Sequence, residues 1–219
     1  MRYRGTFRLV LALAALAPCL PAGIIDRIAV SVGNRVITAS DVDREIRVTA
    51  FLNGTQPDFS PANKRATAER LIDQRLIRNE LENSRYPVPA ASEVEPELEQ
   101  FRKKYFPNDD DYRRALVAAG ITEDDLKAEL LWQRTLLLFV DVRFRPGVQV
   151  TDQEVQDYFD RTVAPAARAA NPGAAPTLDA YRSEIEQKLI GDKVDQEIDH
   201  WLQQVRNRTT ITHHQEALQ

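Results

Sequence analysis

Four times along the chain a hydroxyl residue stands three positions ahead of an acid: Ser40 with Asp43, Ser92 with Glu95, Thr122 with Asp125, and Thr151 with Glu154. At that spacing the hydroxyl accepts from an orphan amide of a first helical turn while the acid reaches back to the cap amide, so each pair marks a helix start. Asp stands in for the usual Glu or Gln in two pairs, which are the weaker signals. A chain punctuated in this way must be built mostly of helices.

The stops agree. The first helix is expected over about 41–52, ended by Asn53-Gly54 and a loop with Pro57 and Pro61; the second over about 62–84, ended by Pro87 and Pro89. The third and fourth cover about 93–105 and 110–119, with Gly120 as the stop. A fifth, about 123–144, is the most hydrophobic part of the segment after residue 22, and its apolar run at 136–140 calls for burial or a partner. A short sixth runs over about 151–161. Leu178, Tyr181, Ile185, Leu189, Val194, Ile198, Trp201, Leu202 and Val205 then mark one long amphipathic helix.

Three stretches are not helical in pattern. Ile28–Val32 and Arg35–Thr38 flank Gly33-Asn34, a two-residue loop suited to a tight β-hairpin because Gly tolerates positive φ. Thr209–Thr212 is a short terminal strand, and Ile211 among threonines suits it to cover an otherwise bare hairpin edge. Residues 163–177 hold three prolines, one glycine and seven alanines, a composition expected of a semi-extended linker.

The opening residues have another purpose. Arg2, Arg4 and Arg8 precede the apolar run Leu9–Ala17, with small Ala22 before a cleavage point. This is the layout of a secretory signal peptide, too short to be a permanent membrane span. Lipidation at Cys19 is the rival reading, disfavoured by Pro18 where a small residue is wanted. Cleavage after Ala22 removes the single Cys of the 219-residue chain, and with it disulfides, thiol catalysis and Cys metal sites. It also removes three of 29 basic residues and none of 33 acids, leaving a net charge of −7 that excludes a general nucleic-acid binder.

The same elements, in the same order, resemble a known family. Ile28-Ala-Val-Ser-Val-Gly-Asn-Arg-Val-Ile-Thr-Ala-Ser-Asp-Val-Asp43 is similar to the opening of SurA-like periplasmic chaperones and related parvulin-type foldases. Arg70-Leu-Ile-Asp-Gln-Arg-Leu-Ile77 resembles the family's second-helix signature. Thr151-Asp-Gln-Glu-Val-Gln-Asp-Tyr-Phe159 resembles the segment that leads into the isomerase domain, and Tyr181–Trp201 resembles the C-terminal helix. The resemblance implies a mainly α fold, a helical core with a small sheet made by an N-terminal hairpin and a C-terminal strand. It divides the chain into a signal peptide at 1–22, a chaperone core at 23–162, the Ala/Pro linker at 163–177 where a parvulin domain would stand, and a helix and strand at 178–219 that complete the core. Such a protein is expected in the periplasm as an ATP-independent holdase for unfolded or nascent envelope or outer-membrane proteins, without cofactor, prolyl isomerase activity or integral membrane segment. The alternative is a structural or assembly subunit that binds one folded partner or forms a homodimer, domain-swapped through the long helix.

Catalytic readings find little support. The acidic clusters at Asp109–Asp111 and Glu123–Asp125 lack the alternating oxygens of a calcium loop and suit helix N-termini. His213-His214 have no third ligand beside them, and His200 is expected on the packed flank of the long helix. No Ser is placed for activation by a His, and no Gly-rich phosphate loop occurs. Phe51, Phe59, Phe101, Tyr105 and Phe106 fall near helix ends and loops, where they are the candidate client-binding residues; core packing accounts for each equally well.

Overall fold

A computed structural model describes residues 26–173 and 175–219; the expected leader at 1–22, with Cys19, lies outside them. The first elements among the described residues are β1 (Ile28–Val32) and β2 (Arg35–Thr38), paired antiparallel with Val32 opposite Arg35. Gly33 sits at φ 57 in the turn, as a two-residue loop requires of its first position. Among the described residues eight α-helical segments follow, α1 (Ala39–Asn53), α2 (Pro61–Asn83), α3 (Glu95–Tyr105), α4 (Asp109–Ala119), α5 (Glu123–Arg143), α6 (Asp152–Tyr158), α7 (Ala164–Ala170) and α8 (Leu178–Arg208). The strand β3 (Ile211–His213) then returns to β1, giving an antiparallel sheet of order β2-β1-β3. The mainly α fold with a hairpin and a C-terminal strand in one small sheet is therefore the architecture of this chain.

Two of the four expected caps are in place. Thr122 and Thr151 accept from the amides of Asp125 and Glu154, whose carboxylates accept from the two threonine amides in return. The first box is displaced by two residues: Thr38 accepts from the Asp41 amide at 3.2 Å and Asp41 from the Thr38 amide at 3.0 Å. Thr38 is extended, so it has the geometry of a cap, whereas Ser40 already belongs to α1. At the third helix the Glu93 carboxylate accepts from the Ala90 amide at 2.9 Å, and Ser92 lies inside a short 3₁₀ turn, Ala91–Val94.

The Ala/Pro tract departs from the expectation of a semi-extended linker. Its first part is helical: α6 passes through a π-helical turn, Phe159–Val163, into α7, and Ala164 is buried. The Ala164 amide donates to the Phe159 carbonyl five residues back. Pro165 lacks an amide and its ring would crowd the Arg161 carbonyl in a regular α-turn, which the wider register avoids. Alanine's high helix propensity then carries α7 to Asn171.

Four apolar clusters hold the elements together. The sheet end packs Val30, Val32 and Ile37 on Val42, Ile46, Ile72 and Leu76, and is closed by Ala217 and Leu218 from the tail. A second joins Val48, Leu98, Tyr112, Leu116, Leu126 and Leu130 of α1, α3, α4 and α5. A third sets Trp132, Phe139 and Phe144 against Ile77 and Val194. The fourth, Val155, Phe159, Ala164 and Ile185, forms an outer arm. The 31 residues of α8 span about 46 Å and run past three of the four, from Tyr181 in the arm through Trp201 to Val205 beside the sheet.

The apolar half of α5 divides its faces. Thr135 and Phe139 are buried, while Leu137 is 68% and Val142 43% exposed. Among the described residues no helix is long and apolar enough to cross a membrane.

Candidate functional site

Phe51 closes the last turns of α1, Phe101 and Tyr105 share one face of α3, and Phe106 caps that helix through its amide on the Arg102 carbonyl. These elements bring four of the five candidate residues into one cluster. The Phe51 ring stacks on Phe106 at 5.8 Å and approaches Phe101 at 5.9 Å, and Phe101 meets Tyr105 at 5.0 Å and Phe106 at 6.0 Å. Such offset and tilted contacts stabilise aromatic rings beyond the area they bury. Phe59 is not a member. It lies in the loop before α2, 37% exposed, under the Arg47 guanidinium at 5.2 Å.

The cluster is rooted inward and open outward. Its inner member, Tyr112 of α4, meets Phe106 at 5.3 Å and is 2% exposed. Among the described residues its hydroxyl has no hydrogen-bond partner, and burial, followed by the nearby Glu123 carboxylate, pushes its pKa up to about 12. The outer member Tyr105 is 56% exposed, and Phe51, Phe101 and Phe106 are half-buried between the two. Arg102 lies 4.9 Å over the Tyr112 ring and pairs with Asp109 at 2.6 Å; Lys104 lies 4.9 Å over Tyr105. Beside the rings is a cavity of about 360 Å³ whose wall includes Phe106, Pro107 and Tyr112. Rings at graded depth with cations over their faces suit apolar and aromatic side chains presented by another chain.

A second hollow, more apolar and of about 660 Å³, lies in the outer arm between Tyr158, Val163, Ala166 and Ala167 on one side and Tyr181 and Ile185 on the other. Neither Tyr112 nor this hollow was visible in the sequence as part of a surface. Tyr112 follows an acidic cap that accounts for its neighbourhood, and the hollow depends on the Ala/Pro tract being helical.

The remaining sequence candidates take structural places. Asn108 caps α4 by accepting from the Asp111 amide at 2.9 Å, so the Asp109–Asp111 run sits on the first turn. His200 is exposed and bonded to Gln204 at 2.7 Å, not on a packed flank, because it falls on the solvent side of α8. His213 approaches Glu69 at 3.6 Å and His214 approaches Ser31 at 3.5 Å, both at the seam where β3 closes the sheet. Among the described residues no three His, Cys, Asp or Glu side chains are grouped to hold a metal ion. No protein-family model matches the chain, and no curated protein matches it either.

Proposed function

We propose that the chain is a periplasmic, ATP-independent holdase of the SurA-like class, without the parvulin isomerase domain, that shields unfolded envelope or outer-membrane proteins. The observation that carries this reading is the ring cluster Phe51–Phe101–Tyr105–Phe106, anchored on Tyr112 and opening at Tyr105. Half-buried rings hold a fixed shape and still offer apolar area, so a client segment gains contact without the protein first paying to rearrange. Many shallow contacts of this kind bind weakly enough to release a client without nucleotide. Support also comes from the order of hairpin, helices, long helix and returning strand, which is the order the motif resemblance implies.

The test is aggregation of a urea-unfolded outer-membrane β-barrel protein diluted into buffer with the chain lacking residues 1–22. Suppression at a few-fold molar excess is expected, and Tyr105→Ser should weaken it several-fold while leaving the unfolding midpoint of the chaperone unchanged. No suppression at that excess would count against the holdase.

A second reading, an assembly subunit acting as a homodimer, is favoured by Leu137 and Val142, apolar and exposed on α5. Light scattering separates the two, since a molecular mass that does not change with concentration and equals one chain removes the dimer.

A further inference from the structure

We propose that the junction of α1, α2 and α5 binds a small dipolar molecule bearing a carboxylate and a cationic nitrogen on one short aliphatic scaffold, the chemistry of an apolar α-amino acid. A cavity of about 300 Å³ opens there, between Glu45 of α1, Arg75 and Arg78 of α2, and Glu129 of α5. Leucine, the probe used below, is smaller than this space.

The charges around the cavity fall into two sets. Arg44 is spent on Asp41 at 3.3 Å and Asp125 at 3.7 Å, which closes one corner. The other four, Glu45, Glu129, Arg75 and Arg78, are different: among the described residues none has an ion-pair partner within 4.0 Å. Two of them are held where they stand by neutral neighbours. The Arg78 guanidinium lies 4.3 Å over the buried Trp132 ring, and the Glu129 carboxylate accepts from the Gln133 amide at 2.8 Å. The pocket thus holds one sign of charge on α2 and the other on α1 and α5, across a space instead of in contact.

The two signs feel each other only at a distance: Arg70 and Arg78 favour the charged form of Glu45, and Glu129, Glu45 and Glu82 that of the exposed Arg78, without a direct ion pair among the described residues. Burial, and then Glu129, raises the pKa of Glu45; loss of water, and then Arg75, lowers that of Arg78. A lone carboxylate would meet Arg75 and Arg78 but face two glutamates, and a lone ammonium would meet the glutamates but face two arginines. A ligand carrying both groups supplies each side with its partner through charge-assisted hydrogen bonds. Ile37, Val48 and Leu71 complete the wall and receive an aliphatic side chain. The hollow shares no lining residue with the ring cluster, so leucine binding and client binding can fail separately.

The experiment titrates the chain lacking residues 1–22 with L-leucine and follows the two indole N–H resonances by NMR, with Trp132 as reporter and Trp201 as internal control. A saturable shift of Trp132 alone is expected. The two halves of the ligand, 4-methylpentanoate without the ammonium and 3-methylbutylamine without the carboxylate, should bind at least about tenfold more weakly. Arg75→Gln and Glu129→Gln, each checked for an unchanged urea midpoint, should do the same to leucine. No saturable shift in the wild-type protein up to about 20 mM leucine would overturn the site. So would either half binding as tightly as leucine, or both variants binding leucine as the wild type does.

Discussion

At the sheet end, Val30 and Val32 of β1 are covered by Ala217 and Leu218, residues from opposite ends of the described chain. In the outer arm, Val155, Phe159, Ala164 and Ile185 cover one another from within a single short stretch. The first region is complete only when distant segments meet, so its parts are stable together or not at all. The second is local, tied to the rest through α8 and through the Lys193–Glu154 pair at 2.7 Å, with Arg182 and Asp152 paired inside it at 2.7 Å. Regions built in these two ways open separately, at different free energies. The arm also keeps the larger apolar hollow, so the part with less support is the part with more space.

The strongest way to break this comparison is to remove residues 210–219. That deletes β3 and exposes the cavity filled by Leu218, at a cost on the order of 4–6 kcal/mol from lost apolar burial and lost ladder hydrogen bonds. A domain of ordinary stability loses most of its margin. Urea denaturation should show a large fall in midpoint, with β1 amides losing hydrogen-exchange protection first; an unchanged midpoint would mean that the tail does not close the sheet.

Phe159→Ala acts on the other region. Truncating this buried ring costs about 3–5 kcal/mol. Because Phe159 packs in the arm's own apolar cluster, to which no core residue of the sheet end belongs, the loss of protection should be confined to about residues 152–189, with β1 amides unchanged. Equal loss in both places would dissolve the distinction between them.

The smallest effect sharpens the comparison through pH. The Glu154 carboxyl is held at about 2 by the Lys193 ammonium first, and then by the Thr151 amide and hydroxyl. A depressed folded-state value means that the link supports the arm above the ordinary 4.5 and is lost as pH falls toward about 2. Exchange within the arm should accelerate over that window, earlier than in the sheet. Glu154→Gln should remove that acid limb; an identical profile in the variant would show that another group sets it.

What the residues disclosed in advance follows the range of each interaction. Thr122 with Asp125 and Thr151 with Glu154 are local pairs whose partners are three positions apart, and both were legible. Ser40 with Asp43 had the same spacing, yet the hairpin ends at Thr38, and the end of a strand decides which hydroxyl is extended enough to cap. The linker reading of 163–177 counted prolines; it missed that Pro165 next to a π-turn is compatible with a helix and that alanines favour one. For the ring cluster, Phe51, Phe101, Tyr105 and Phe106 were named from their places near helix ends, and the structure separates Phe59 from them. The mixed-charge cavity was not legible at all, because Glu45, Arg78 and Glu129 meet only through the packing of three helices.

The central position of β1 in its sheet imposes an order on biosynthesis. One side of this strand is occupied within a few residues by β2, but the other side, along Val30 to Val32, waits until β3 has been made and delivered. During synthesis that row of amides and carbonyls is a sticky seam available to any extended polypeptide nearby. The protein must therefore spend its own youth in the condition of the clients proposed for it, and any helper that guards it then has to let go before the last strand can dock.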